Sequence, residues 1–252
     1  MRAVDATHYV RSVRLLRDQI DSFDPFPFHL PAVRNLSELT FHPAGTFLVG
    51  ENGSGKSTLW EGIAIAYGYN PEGGSRNFNF ATRNSHSVLH RHLRLVRGVQ
   101  RPKDGYFLRA ESFFNVATEV DRLDEVGGAG PPLIDAYGGR SLHEQSHGES
   151  FMALVMERFR GQGLYLLDEP EAALSPSRQL ALLLRLHELV ARRSQFLIAT
   201  HSPLLLAYPN ARIYSLEQDG IRAVAYEDTE HFVIARRFLQ DHRRMLADLL
   251  DP

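Results

Sequence analysis

The chain has 252 residues, with 28 Lys and Arg against 30 Asp and Glu for a net charge of −2, and 43% of its residues are hydrophobic. That is enough apolar side chain for a sizeable core and too little net charge for a general polyanion binder. Zero cysteines exclude disulfides and thiolate metal sites, and neither a signal peptide nor an apolar run near the ~20 residues of a membrane span is present, so a cytoplasmic setting is expected.

Taken in chain order, residues 7–20 read as an early strand or a short helix, and Arg11, Arg14 and Arg17 leave both open. Residues 23–32 hold three prolines and three phenylalanines, which predicts an irregular apolar loop. Thr46–Val49 reads as a short buried strand, and a helix is expected to start near Lys56 and run through Leu59–Tyr67. From Arg83 to Arg109 seven basic residues (Arg83, Arg91, Arg94, Arg97, Arg101, Lys103, Arg109) face one acid, Asp104, with His86, His90 and His92 among them. A solvated helix face with Val88, Leu89, Leu93 and Val96 turned inward is preferred there over a phosphate-binding patch, because no stacking aromatics accompany the charges. The histidines lack the spacing of a zinc site. Residues 124–132 read as a mobile linker and 149–160 as a helix. A further helix runs from Pro176 to Arg193, with Leu180, Leu183, Leu184, Leu186, Leu189 and Val190 as its apolar face. Ile213–Leu216 and Ile221–Tyr226 predict a hairpin turning at Asp219-Gly220. Residues 229–250 close the chain as one or two amphipathic helices.

Two stretches carry chemistry. Gly50-Glu51-Asn52-Gly53-Ser54-Gly55-Lys56-Ser57-Thr58 fills the P-loop pattern G-x-x-x-x-G-K-[ST] between a strand and a helix. Gly50, Gly53 and Gly55 let successive N–H groups turn inward as an anion nest, and the following helix aims its positive end at the same phosphates. Lys56 would reach the β and γ oxygens, and the Ser57 hydroxyl would ligate Mg²⁺. The second stretch, Gly163–Pro170, reads as a buried parallel strand ending in two acids. Asp168 would hold Mg²⁺ directly or through water, and Glu169 would polarise the water that attacks the γ-phosphate.

With other motifs in a fixed order, these make the chain resemble an ABC-type ATPase over about residues 40–205. Ser146-His147-Gly148-Glu149 stands where that family has its signature, with His147 in place of a glycine. Ala172–Pro176 follows as the D-loop does, with Ser175 where an Asp is usual. Phe196–His201 is a buried strand ending in the switch histidine. Gly105–Glu111 matches the strand that ends in the Q-loop glutamine, with Glu111 in its place. The resemblance is greatest to small stand-alone ABC-like and AAA-family ATPases related to the SMC and RecF-like branch. No sustained heptads separate Glu111 from Ser146, so no coiled coil is expected.

The resemblance implies an α/β P-loop fold of ABC-ATPase type, one domain over 1–252. A mixed central sheet with flanking helices would carry a small helical or antiparallel subdomain. The nucleotide-binding core would span about 40–215, with the hairpin and helices over 213–252. It implies ATP and Mg²⁺ as cofactors and a head-to-tail homodimer in which Ser146–Glu149 of one subunit meets the P-loop of the other. His201 would sense the γ-phosphate, Glu169, His201 and Lys56 would be catalytic, and Glu111 would join Ser57 and Asp168 around Mg²⁺. A phenylalanine of 23–32 would stack on adenine, although core filling is preferred. The partner is expected to be nucleic acid or a soluble effector protein, a membrane partner being disfavoured. The alternative is the nucleotide-binding subunit of a membrane transporter. A nucleotide-gated module without turnover would need the water-activating acid to be missing.

Overall fold

Alternation along the strands decides where the core lies. In the computed structural model, which describes residues 8–75, 87–110, 113–127 and 132–250, nine strands are present among those residues. They are β1 Val10–Leu15, β2 Glu38–Thr40, β3 Gly45–Gly50, β4 Leu93–Arg97, β5 Asp104–Arg109, β6 Gly163–Asp168, β7 Gln195–Ala199, β8 Arg212–Glu217 and β9 Gly220–Val224. The α-helices are α1 Pro31–Arg34, α2 Lys56–Tyr67, α3 Phe113–Val126, α4 His147–Ala153, α5 Pro176–Ala191, α6 Pro203–Leu206, α7 Glu230–Gln240 and α8 His242–Leu250.

Six strands form one sheet in the order β5-β6-β7-β3-β8-β9, parallel except for the antiparallel β8–β9 pair. Because side chains alternate across a strand, β6 sends Tyr165 and Leu167 to one face and Leu164 and Leu166 to the other. Each face is covered, so every residue of β6 is buried and Leu164–Leu167 reads as an unbroken apolar run before Asp168. Against the first face pack α3, α4, α5 and α6 through Val116, Phe151, Leu182, Leu186, Leu189 and Leu205. Against the second packs α2, through Leu59, Trp60, Ile63 and Ala64, together with the antiparallel sheet β2-β1-β4. Gln195 ties the two sheets together. Its Oε1 accepts from the Tyr9 and Val10 N–H groups at 2.9 and 3.0 Å, and its Nε2 donates to the Val10 and His42 carbonyls. A buried amide with all these bonds made costs little, whereas leaving them unmade would cost about 1–3 kcal/mol per group.

Several local expectations change. Residues 88–92 form a single 3-10 turn and 93–97 the strand β4, not one helix. Leu89 and Leu93 are buried as expected, but Val88 is exposed. Leu93-Arg94-Leu95 alternates with a period of two, and pairing with β1 rewards the extended conformation. On α5 the buried line is Leu182, Leu186 and Leu189, while Leu180 and Leu184 face solvent. At about 1.5–3 kcal/mol per fully buried leucine, that inner line is what docks the helix. The helix read over 149–160 is α4 followed by a wider π-type turn at Leu154–Arg158, which delivers Arg158 to Asp104 at 2.8 Å. Of residues 7–20, the described part, 8–20, forms β1 and a single turn at Arg17–Gln19. The hairpin turns one residue early, because Glu217 pairs with Gly220 around Gln218-Asp219. Residues 229–250 divide into α7 and α8 at Asp241. Arg83, His86 and part of the 124–132 linker lie outside the described residues. Among those residues no helix is long and apolar enough to cross a membrane.

Candidate active site

β6, β7 and β3 are neighbours, and their register brings Asp168, Ala199 and Leu48 side by side. Their carboxyl ends therefore deliver Asp168-Glu169, Thr200-His201 and the loop after Gly50 to one edge of the sheet, where ligands of open α/β sheets bind. The loop conformation depends on glycine. At Gly50 a Cβ would stand 2.8 Å from the Leu216 carbonyl oxygen, and φ is +150°. Gly53 and Gly55 also have positive φ, at +82° and +101°. The 23–32 segment backs this loop through Leu30. Of its phenylalanines, Phe28 is buried against His92, Phe23 lies under the Arg17 guanidinium, and Phe26 is exposed.

Gly55 is the N-cap of α2, so the first turn of that helix opens at Lys56 and Ser57. Lys56 Nζ donates to the Gly50 and Glu51 carbonyls at 2.9 and 3.0 Å. Burial lowers its pKa, against the opposing pull of Glu169, Asp168 and Glu171. Ser57 Oγ donates to Asp168 Oδ1 at 3.1 Å. Two adjacent ligands of an octahedral ion at about 2.1 Å stand about 3.0 Å apart, so this hydroxyl and carboxylate fit a shared Mg²⁺. Glu51, Asn52 and Gly53 are exposed, Ser54 and Thr58 half-buried. A cavity of about 780 Å³ opens beside Gly50, Glu51 and Asn52, with His201 and α7 on its other wall.

Glu169 has φ +51° and begins the 3-10 turn Pro170–Ala173, its N–H held by the Ala199 carbonyl at 2.9 Å. This backbone state is uncommon for a residue with a Cβ, and it aims the carboxylate at the sheet edge. Its Oε1 lies 3.6 Å from His201 Nε2. Burial, then the Lys56 charge, lowers the His201 pKa, and Glu169 opposes them.

Four charged or titratable residues of the site, Glu171, Arg109, Glu61 and His231, are not assigned to it by the sequence. Glu171 receives the His201 N–H and the Thr200 hydroxyl, the latter at 2.7 Å, and so fixes the turn that presents the histidine. Burial raises its carboxyl pKa against those two bonds. Arg109, at the end of β5, bonds to Glu61 of α2 at 2.7 Å and lies 3.9 Å from Asp168. His231 of α7 lies 3.2 Å from His201. Two of the four had a visible signal: Glu61 is a lone acid within an apolar helix, a position that needs a partner, and Glu171 continues the acidic run after β6.

The segment Ser146–Glu149 is held differently from the loop. Ser146 caps α4, and both its N–H and its hydroxyl donate to Glu149 Oε2, at 3.0 and 2.7 Å. Glu149 also meets Arg178 of α5 at 3.5 Å. Gly148 is buried where a Cβ would stand 2.7 Å from the Ala173 carbonyl, so this segment and the turn after Glu169 pack directly together. Ser146 and His147 face solvent. Ser175 occupies the N-cap of α5, its hydroxyl accepting from the Arg178 N–H. Glu111, expected among the metal ligands, lies outside the described residues.

Residues 135–207, from before α4 to the end of α6, match the family model described as "AAA domain, putative AbiEii toxin, Type IV TA system". No curated protein matches the chain. The solved structure of cbiO1 from Clostridium perfringens, part of the ABC transporter complex cbiONQ, is 16% identical, covers 97% of this chain and 100% of its own, and superposes with a TM-score of 0.52. MJ1267, an ATP-binding cassette of an ABC transporter, is 16% identical over 93% of this chain and 98% of its own, also with a TM-score of 0.52. The SMC head domain of Thermotoga maritima is 16% identical over 86% and 98%, with a TM-score of 0.43. The chain has the fold of a P-loop ATPase of ABC type.

Proposed function

We propose that this protein binds and hydrolyses Mg-ATP as an ABC-type sandwich homodimer and uses the cycle as a conformational switch on a soluble partner or a nucleic acid. The observation that carries the reading is the meeting of Lys56, Ser57, Asp168, Glu169 and His201 at the edge of three adjacent strands, with Ser57 and Asp168 3.1 Å apart. The loop amides and Lys56 would bind the β- and γ-phosphates, Lys56 exchanging the Gly50 and Glu51 carbonyls for phosphate oxygens. Ser57 and Asp168 would hold Mg²⁺, which screens phosphate charge and orients the γ-phosphate when bound. Glu169 would take a proton from the attacking water. His201 would donate to a γ-phosphate oxygen, and Glu171 keeps its backbone in place for that.

Ser146 and the Gly148 N–H would approach the γ-phosphate from a second subunit. A chain carrying one loop and one signature satisfies both only as a two-fold pair, each subunit using the same two patches. The Ser146 hydroxyl now serves Glu149, so closure would redirect it to phosphate. Because Gly148 packs on the turn after Glu169, the signature and the water-activating acid of one subunit would move together. Release of phosphate would then loosen the pair and supply the output.

A nucleotide-binding transporter subunit is the second reading, favoured by the transporter ATPases that share the fold. The divergent signature at Ser146–Glu149 and Ser175 in the D-loop position favour the first. Phosphate release from ATP tests the shared core of both. Turnover is expected with Mg²⁺ and should disappear in EDTA, returning when Mg²⁺ is restored. No phosphate release under any metal condition would remove the ATPase reading. Co-purification of a permease, rather than nucleic acid or a soluble protein, would move it to the second.

A further inference from the structure

We propose that His231, on the first turn of α7, is a positioning residue that fixes the ring proton of His201 on Nε2. The proposal deepens the ATPase reading and rests on it for its consequence, though not for its geometry. His201 Nδ1 and His231 Nε2 are 3.2 Å apart, with ring centroids at 5.4 Å. Burial lowers the pKa of both rings, so the neutral pair is the state to consider. The charged groups acting on the pair are Lys56 from α2, Glu169 and Glu171 from the turn after β6, and Glu230 beside His231.

A neutral imidazole has one donor and one acceptor nitrogen, so the contact can be made in two ways. In one, His231 Nε2–H donates to His201 Nδ1, and the proton of His201 sits on Nε2. In the other, His201 Nδ1–H donates to His231, and both outer nitrogens reverse their roles. The end of the pair beside Glu169 selects the first. His201 Nε2 lies 3.6 Å from the Glu169 carboxylate, which attracts an N–H and repels a lone pair. Both outer nitrogens, His201 Nε2 and His231 Nδ1, are buried with no hydrogen-bond partner among the described residues, and of the two only His201 Nε2 lies within 4 Å of a carboxylate there. An N–H on either nitrogen lacks a full hydrogen bond, so the nearby carboxylate decides which of them carries it.

The local sequence explains why His231 can hold this place. Thr229 caps α7 by accepting from the Phe232 N–H at 3.3 Å. Tyr226 packs on Phe232 and donates its hydroxyl to the Pro203 carbonyl, just beyond His201. The start of α7 is thus fastened to the segment that carries the switch histidine. Under the ATPase reading, Nε2–H is the donor a γ-phosphate oxygen needs, and α7 determines whether it is present.

The test uses the full chain carrying ¹⁵N-histidine and two variants. His231→Gln keeps an N–H donor at similar reach, and His231→Leu removes it. The ring signals of His201 are assigned by their loss in His201→Ala. In wild type and His231→Gln the nucleotide-free spectrum should show His201 protonated at Nε2 with a bare, hydrogen-bonded Nδ1. In a folded His231→Leu it should show a mixture of tautomers, and kcat should fall about tenfold with KM for ATP little changed. The same single tautomer in His231→Leu, or Nδ1 protonation in wild type, would overturn the proposal. The spectrum is read without turnover, so an inactive wild type would defeat the ATPase reading while leaving the tautomer result to decide the role of His231.

Discussion

Glu169→Gln is expected to slow ATP turnover by roughly 10²-fold or more, the loss of a general base, while Mg-ATP still binds. The substitution keeps the volume of the side chain and removes its charge. Lys56, Ser57 and Asp168 are untouched, and the bond between the backbone N–H of 169 and Ala199 remains. The carboxylate is 39% exposed, so water can reach it, and its only ion-pair neighbour among the described residues is His201. Because the residue has φ +51°, Glu169→Ala would change backbone preference as well as chemistry, and Gln is the cleaner probe. Single-turnover hydrolysis measured alongside nucleotide titration separates the two effects. Wild-type turnover in Glu169→Gln would remove this residue as the base. Loss of binding and turnover together would mean that the acid holds the site in shape.

Lys56→Ala should weaken ATP binding tenfold or more, about 1.4 kcal/mol or greater, as expected for a lost charge-assisted contact. Lys56 is only 4% exposed, and its ammonium already touches two loop carbonyls. The substitution therefore removes both the charge for phosphate and a brace across the loop. Titration with a fluorescent ATP analogue reads the affinity, and a thermal melt shows whether the loop's disruption spreads to the fold. Unchanged affinity in a folded variant would mean that Gly50–Thr58 does not bind polyphosphate.

The parts that were legible in the sequence are those where a short pattern fixes its own geometry. Gly50–Ser57 joins a buried strand to a helix whatever surrounds it, and Gly163–Asp168 is apolar on both faces because helices or a second sheet cover both. The parts that were not legible depend on residues distant in the chain. Arg109 finds Glu61 across 48 positions, and Glu171 and His231 each reach His201 across 30. Tertiary pairing also overruled composition. The basic run before Asp104 looked like a helix face, yet β1 was available to pair with residues 93–97. Leu180 and Leu184 fit the helical period of α5 but fall on its outer flank, since the buried line is set by where the sheet lies. Ser146–Glu149 is matched to the family's signature by position only. That its serine and Glu149 bond to each other follows from a capping pattern, S-x-x-E, that was present in the sequence and not used.

The sandwich is tested most directly by the mass of Glu169→Gln in solution, measured by light scattering after gel filtration with and without Mg-ATP. Retention of the γ-phosphate should hold Ser146 and Gly148 of one subunit against the loop of the other. The protein should then run as a monomer or loose dimer without nucleotide and as a compact dimer with it. Adding Ser146→Arg should abolish the compact species, because it places bulk at the contact without touching Lys56 or Ser57. An ATP-loaded Glu169→Gln protein that remains monomeric at micromolar concentration would contradict the sandwich.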